Sequence, residues 1–75
     1  MKLKSNVNAA EFLREVELCR GEVFLETPED QLNLKSKLSQ YVFVVIEGND
    51  ELRNSAQVRC VAPEDYAVLQ SYLEA

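Results

Sequence analysis

Apolar residues recur with helical spacing in the first twenty positions of the chain. Their separation of three or four residues is that of one helix face. This face consists of Ala9, Phe12, Leu13, Val16 and Cys19. Asn6 or Asn8 can cap the helix, and Glu11 supplies an acidic residue in its first turn. Arg20 and Gly21 predict its end, where a cation and a left-handed glycine are both favourable.

Alternating apolar residues then predict three short strands. The stretches "EVFLET" and "LNL" are separated by the turn-forming sequence "PEDQ". Together they are predicted to form an antiparallel hairpin. The third strand is "AQVRCVA". Phe24 is expected on the sheet face opposite the core. The inward residues of the three strands are expected to be Val23, Leu25, Leu32, Leu34, Val58 and Cys60.

A second helix is predicted to begin at Ser36, directly after the hairpin. Its expected buried residues have helical spacing. They are Leu38, Tyr41, Val42, Val45 and Ile46. The β-branched run from Val42 to Ile46 would also suit a strand. We favour a helix because the buried residues follow its period and because Gly48-Asn49-Asp50 offers an end.

A last helix is predicted to begin at Pro63, with Glu64 and Asp65 favourable at its positive end. Its inward residues are expected to be Tyr66, Leu69, Leu73 and either Val68 or Tyr72. In the order α-β-β-α-β-α, all inward strand residues can lie on one sheet face, covered by three helices. We therefore predict one α+β domain, residues 1–75, built as a two-layer open-faced sandwich.

The composition of the 75-residue chain restricts its chemistry. The chain contains no histidine, which removes the commonest general base and metal ligand. Its net charge of -5 disfavours binding to nucleic acid or to an anionic membrane. Glu26, Glu29 and Asp30 at the hairpin tip favour a solvated turn over a metal site. Without paired carboxylates in a pocket or a nucleophile beside a base, we expect no enzyme, no cofactor and no metal.

The cysteines and the longest apolar run bear on the cellular compartment. Cys19 and Cys60 occupy apolar positions and are expected to be buried reduced thiols, with a disulfide as the alternative. The run "YVFVVI" is much too short to span a membrane. The first twelve residues contain no apolar leader segment. A cytoplasmic location is therefore expected.

The order of elements and the stretch "LNLKS" resemble the phosphocarrier protein HPr of the bacterial sugar phosphotransferase system. That family has the order β-α-β-β-α-β-α, which this chain matches with its first strand shortened to "MKLK" or absent. The resemblance implies an antiparallel sheet of three or four strands with helices on one face. "NAAEFLREVELCRGEVFLET" follows the family's helix and strand pattern, whereas "KLSQYVFVVIEGNDELRNS" is longer than the corresponding segment.

The resemblance places a degenerate carrier site at the start of the first helix. The family carries its phosphoryl group on the histidine of a His-x-Arg-Pro-Ala motif. In the matching stretch "SNVNA", Ser5 replaces the histidine, Val7 the arginine and Asn8 the proline. Because serine forms a low-energy phosphoester, Ser5 could not pass phosphate on reversibly. A member without phosphocarrier activity is implied.

The resemblance also implies a regulatory phosphorylation site at Ser36. In Gram-positive members, a dedicated kinase phosphorylates the serine of "NLKS" with nucleotide triphosphate or pyrophosphate, and the product binds a transcriptional regulator of carbon use. Lys35 and Lys37 would neighbour the phosphate at the helix N-terminus. The family usually has an apolar residue in place of Lys37. The partner-docking surface would consist of Leu38, Tyr41 and Phe43.

Two functions are consistent with these patterns. The first is a non-catalytic HPr-like module for protein interaction or regulation, with a kinase or regulator as partner and phosphorylation at Ser36. The alternative is a small structural domain that oligomerises, for example as a homodimer, through its exposed sheet edge. In the alternative, Ser36 is only a helix cap. Phe24 would be either a scattered exposed apolar group or part of a contact patch.

Overall fold

The computed structural model describes residues 1–74, which form four α-helices, a 3-10 turn and five strands. The strands are β1 (Lys2–Leu3), β2 (Val23–Glu26), β3 (Gln31–Asn33), β4 (Gln57–Cys60) and β5 (Leu73–Glu74). The helices are α1 (Ala9–Leu18), α2 (Lys37–Glu47), α3 (Asp50–Ser55) and α4 (Asp65–Leu69), and the 3-10 turn is Gln70–Tyr72. The predicted α+β class is confirmed.

The three predicted strands form one antiparallel sheet with the order β3-β2-β4. Leu25 in the central strand lies opposite Leu32 on one side and Val58 on the other. Alternate residues of β2 and β4 are buried in the same core as the helices, because successive side chains of a strand point to opposite faces. The predicted hairpin and third strand are therefore confirmed.

The two ends of the described chain meet in a second, two-stranded sheet. Leu3 in β1 lies opposite Leu73 in β5, and both side chains are buried. The Val58 N–H donates to the Met1 carbonyl at 2.6 Å, which places the start of the chain beside β4. The prediction that Leu73 is helical is wrong, because α4 ends at Leu69 and the chain returns to pair with β1.

Helix α1 begins as its sequence predicts and ends earlier. The Asn8 side chain accepts a hydrogen bond from the Glu11 N–H at 3.1 Å, which confirms the cap. The predicted left-handed Gly21 is wrong, because no glycine in residues 1–74 has a positive φ. A Cβ at Gly21 would lie 3.0 Å from the Cβ of Ala62, so glycine permits a close approach of two backbone segments.

An aromatic cluster joins the helices above the sheet. The rings of Phe12 in α1 and Phe43 in α2 stack with their centroids 5.3 Å apart. Tyr72 packs edge-on against Phe12 at 5.6 Å. Of the two alternatives predicted for one inward position, Tyr72 packs against the core from the 3-10 turn and Val68 is exposed.

The predicted buried face of α2 is wrong except for Ile46. Phe43 and Ile46 are the residues of this helix that enter the core, and the other four predicted residues are exposed. Six consecutive apolar residues, 41–46, make the helix apolar on more than one side, so periodicity alone did not decide which side packs inward.

A fourth helix, α3, was not predicted. Asn49 was read as part of the end of α2, but its side chain also accepts a hydrogen bond from the Leu52 N–H at 3.1 Å and caps α3. Part of the segment that is longer than its counterpart in the resembled family therefore forms a short additional helix.

Candidate functional site

The strand-to-helix junction "NLKS" is held by side chains that bond to the backbone. The Asn33 side chain accepts a hydrogen bond from the Lys35 N–H at 3.0 Å, and the Asn33 carbonyl accepts one from the Ser36 N–H at 3.0 Å. The Gln40 amide nitrogen donates to the Leu34 carbonyl at 2.9 Å. The turn that presents Ser36 is thus defined by Asn33 and Gln40.

Ser36 occupies the N-cap position of α2 but does not cap the helix with its side chain. Its backbone is extended (φ -84°, ψ 130°), and its carbonyl accepts the Gln40 N–H at 3.0 Å. Within residues 1–74, the Ser36 hydroxyl makes no capping hydrogen bond to the first turn. Because the residue is exposed, this hydroxyl is directed to solvent at the end of a helix.

The two lysines that flank Ser36 have different surroundings. Lys35 is partly buried, and its ammonium donates to the carbonyl of Cys19 at 2.6 Å, at the carboxyl end of α1. A cation is favourable there because carbonyl groups end the helix. Lys37 is the first residue of α2 and is exposed. Of the predicted phosphate neighbours, Lys37 is therefore the one whose charge the fold leaves to solvent, whereas Lys35 anchors α1.

Helix α2 carries an apolar stripe that faces solvent, which we call the outer stripe. It consists of Leu38, Tyr41, Val42 and Val45. The exposed fractions are 76% for Leu38, 75% for Tyr41, 41% for Val42 and 68% for Val45. The spacing i, i+3, i+4, i+7 places all four on one side of the helix. Val44, also exposed, lies beside them.

Two of the three predicted docking residues lie on this stripe, and the third does not. Leu38 and Tyr41 are exposed, whereas Phe43 is completely buried against Phe12. The assignment of Phe43 to a docking surface is therefore wrong. Two residues correspond to about 200° around a helix, so Phe43 and Tyr41 point in nearly opposite directions. Val42 and Val45 belong to the exposed side and were missed, because the same spacing had been read as a buried face.

A shallow groove adjoins the outer stripe near Ser36. It has a volume of about 300 Å³ and lies where α1 approaches the first turns of α2. Its lining residues are Leu13, Lys37, Gln40, Tyr41 and Val44. The groove extends the apolar surface of the stripe toward a single cationic side chain, Lys37.

The residues of the degenerate carrier site precede and open α1. Ser5 is exposed, and the next residue, Asn6, has a left-handed backbone (φ 66°), which asparagine tolerates better than most residues. Val7 packs against the core. Asn8 caps α1 with its side chain. Val7 and Asn8 thus have structural contacts, and Ser5 remains at the surface.

Asp65 lies at the start of the last helix, as predicted, but sequence reasoning did not predict that it is buried. It is 1% exposed, and its two carboxylate oxygens accept the Arg20 N–H at 3.0 Å and the Gly21 N–H at 2.8 Å. These backbone hydrogen bonds hold the pKa of Asp65 below its usual range, because they favour the charged form. The carboxylate joins the start of α4 to the segment after α1, and its partners lie more than 40 positions away in sequence.

The two cysteines are free and buried, which confirms the prediction of reduced thiols. Burial raises the pKa of Cys60 to about 11, and the neighbouring Cys19 and Asp65 charges add to the effect. Burial also raises the pKa of Cys19. Thiols with raised pKa values are poor nucleophiles at neutral pH. Among residues 1–74, no group of three or more acidic or cysteine side chains is placed to hold a metal ion.

The outer face and edges of the three-stranded sheet are partly covered. Arg59 forms an ion pair with Glu26 at 2.7 Å and lies over the ring of Phe24, 4.9 Å from its centre. One edge strand, β3, has three residues, and the other, β4, is bonded to Met1. The exposed edge on which the oligomerisation alternative depends is therefore short.

Comparison with protein-family models, with curated protein sequences and with solved structures finds no significant match to this chain. Throughout residues 1–74, each helix is too short or too polar to cross a lipid bilayer.

Proposed function

We propose that this chain is a non-catalytic, HPr-like protein-interaction module of the cytoplasm, with the outer stripe as its contact surface and Ser36 as a regulatory phosphorylation site. The observation that carries the proposal is the solvent exposure of four large apolar residues along one helix that begins at Ser36. Contiguous exposed apolar side chains commonly mark a protein contact. This proposed function requires no cofactor and no metal.

The arrangement of strands supports the HPr-like part of the proposal. The order β3-β2-β4, with Met1 beside β4, is what a four-stranded sheet with a shortened first strand would require. The inward residues of the strands share one core with α1, α2 and α4, as in a two-layer open-faced sandwich. Helix α3 and the pairing of β1 with β5 are departures from the family order. The serine at position 5 excludes phosphohistidine chemistry at the carrier position.

Phosphorylation of Ser36 has a favourable physical setting. A phosphate there would meet the free backbone amides and the positive end of α2. The first turn of α2 has no acidic residue that would repel it, and the exposed Lys37 lies next in sequence. Since the Ser36 hydroxyl makes no capping bond in the described chain, a kinase need not break one to reach it.

Phosphate incorporation tests the regulatory site. The purified chain is incubated with an HPr-type serine kinase and nucleotide triphosphate, and its mass is measured. We expect one phosphate on the wild type and on Ser39→Ala, a matched change three residues further along α2, and none on Ser36→Ala. Absence of phosphate from the wild type would remove Ser36 from the proposal, and phosphate on Ser36→Ala would move the site elsewhere.

Binding measurements test the contact surface. The phosphorylated chain is titrated onto a transcriptional regulator of the class that binds phosphorylated HPr. Tyr41→Glu should weaken binding at least about ten-fold, since it places a charge at the centre of an apolar contact. Leu18→Glu, a similar change at an exposed residue of α1, should leave it unchanged. Equal losses in both variants would exclude the outer stripe as the specific surface.

A further inference from the structure

We infer that Lys35 is a positioning residue for Ser36, and that it acts jointly with Asp65 through the peptide group that lies between their side chains. The inference rests on the proposed function, because it concerns how the fold presents the Ser36 hydroxyl for modification. Its basis is a set of hydrogen bonds at the end of α1.

The peptide group between Cys19 and Arg20 is hydrogen-bonded to opposite charges on its two sides. Its carbonyl oxygen accepts a hydrogen bond from the Lys35 ammonium at 2.6 Å, and its N–H donates to the Asp65 carboxylate at 3.0 Å. The next N–H, of Gly21, donates to the other oxygen of the same carboxylate at 2.8 Å. The peptide group therefore joins a cation to an anion that is buried at the start of the last helix.

Two hydrogen bonds that share one peptide group in this way strengthen each other. A carboxylate on the N–H side increases the negative charge of the carbonyl oxygen, and an ammonium on the carbonyl side makes the N–H a better donor. The Gly21 and Arg20 amides do most to hold the pKa of Asp65 below its usual range, and the Lys35 charge adds to their effect. The direction of that addition agrees with an attraction between the two charged groups.

The Lys35 side chain connects the turn that presents Ser36 to the end of α1. Its acceptor, the Cys19 carbonyl, is 16 positions away in sequence. The side-chain hydrogen bonds of Asn33 and Gln40 hold the same turn within itself, over two and six positions. Because Lys35 and Ser36 are consecutive, the bond to Cys19 restrains where the Ser36 backbone lies relative to α1.

Amide hydrogen exchange at Ser36, corrected for intrinsic rates, tests this restraint without a kinase. The Ser36 N–H is bonded to the Asn33 carbonyl, so its protection reports how often the turn opens. Lys35→Met, which removes the ammonium, should lower this protection about three- to ten-fold, the net contribution of one hydrogen bond. Lys35→Arg should retain most of the protection, and Lys37→Met, the matched change after Ser36, should leave it unchanged. The Leu25 amide of the central strand should respond to none of them.

A double-mutant cycle tests the joint action with Asp65. In the Asp65→Asn background, the peptide group no longer lies between two charges. Lys35→Met should then lower the Ser36 protection by about two-fold or less, because the effects of coupled residues are not additive. Equal fold-changes in the two backgrounds would overturn the joint action. A wild-type Ser36 amide without protection, or an equal fall at Leu25, would overturn the positioning role itself.

Phosphorylation kinetics separate this inference from the proposed function. With an HPr-type serine kinase, Lys35→Met should lower kcat/KM at least about three-fold, because a displaced hydroxyl is poorly aligned for reaction. Lys35→Arg should match the wild type, as should Lys4→Met, which replaces an exposed lysine outside the turn.

Each outcome of the two assays decides one of the claims. A wild type that accepts no phosphate but shows the expected exchange pattern supports the restraint and removes modification of Ser36 from the proposed function. If Lys35→Met is phosphorylated as fast as the wild type, or if Lys37→Met loosens the turn equally, the inference is overturned and the proposed function stands.

Discussion

Both sides of helix α2 carry large apolar residues, but only one side is buried. On the inner side, Phe43 stacks on Phe12 and is fully buried. On the outer side, Leu38 and Tyr41 are about three-quarters exposed. The difference shows that the core needs only one of the two faces. The row of large apolar groups that this side leaves in water is the surface that we propose for recognition.

Two polar residues at helix starts differ in the same way, since one is buried and the other is exposed. Asp65 uses both carboxylate oxygens to hold the Arg20 and Gly21 amides and is buried. Ser36 leaves its hydroxyl in solvent, without a capping bond in the described part of the chain. The Asp65 side chain therefore holds two segments of the fold together, whereas Ser36 contributes its backbone hydrogen bonds and leaves its hydroxyl without a capping bond.

The largest expected difference is in the free energy of unfolding, between a substitution on the buried face of α2 and one on its exposed face. Phe43→Ala should lower the free energy of unfolding by about 3–5 kcal/mol, since it leaves a cavity against Phe12. Val45→Ala, on the outer stripe, should change it by less than about 0.5 kcal/mol. Urea unfolding of dilute, monomeric protein measures both, and the milder Phe43→Leu serves if Phe43→Ala does not fold. A large loss in Val45→Ala would reverse the assignment of the faces.

A smaller, pH-dependent loss of stability is expected when Asp65 is replaced. Its lowered pKa means that the carboxylate contributes stability above the usual carboxyl range, and that this contribution is lost as pH falls through the folded-state pKa. Asp65→Asn should lower the melting temperature at pH 7, because the amide group opposes one of two backbone donors. The difference from wild type should shrink in acid. A difference that is constant with pH would mean that the carboxylate charge is not involved.

The smallest expected effect is at Ser36. An N-cap serine usually contributes about 1 kcal/mol through its side-chain hydrogen bond. That bond is missing at Ser36 in the described structure, whereas the Asn8 side chain does cap α1. Ser36→Ala should therefore lower the free energy of unfolding much less than Asn8→Ala. The two variants are compared by urea unfolding under one condition. Equal losses would show that Ser36 is an ordinary cap and would weaken its assignment as a modification site.

Local patterns were sufficient to predict much of this fold. The helical period from Ala9 to Cys19 and the cap at Asn8 predicted α1, and alternation predicted the hairpin and β4. These elements depend on residues close in sequence. The N-cap position of Ser36 was also predicted. For Leu38 and Tyr41 the helical pattern wrongly predicted burial, and only the family resemblance placed them on an exposed docking surface.

The errors arise where distant residues decide the outcome. The side of α2 that packs inward is set by the contact of Phe43 with Phe12. The apolar run in α2 alone does not indicate which side makes that contact. The burial of Asp65 depends on amides more than 40 positions away, and the shortening of the last helix depends on Leu3 pairing with Leu73. Helix α3 was missed because a helix end and a helix start share the same polar residues.

The central claim is that the outer stripe is open in one chain and used for contact. It is tested most directly by methyl NMR of the phosphorylated wild type with a soluble paramagnetic agent, first alone in dilute solution and then with a regulator of the class that binds phosphorylated HPr. We predict strong attenuation of the Leu38, Val42 and Val45 methyl signals in the chain alone, protection of the same signals when the regulator is bound, and protection of the Leu25 and Val58 signals throughout. Outer-stripe methyl groups that are protected in the chain alone, or that stay attenuated with the regulator bound, would contradict the claim.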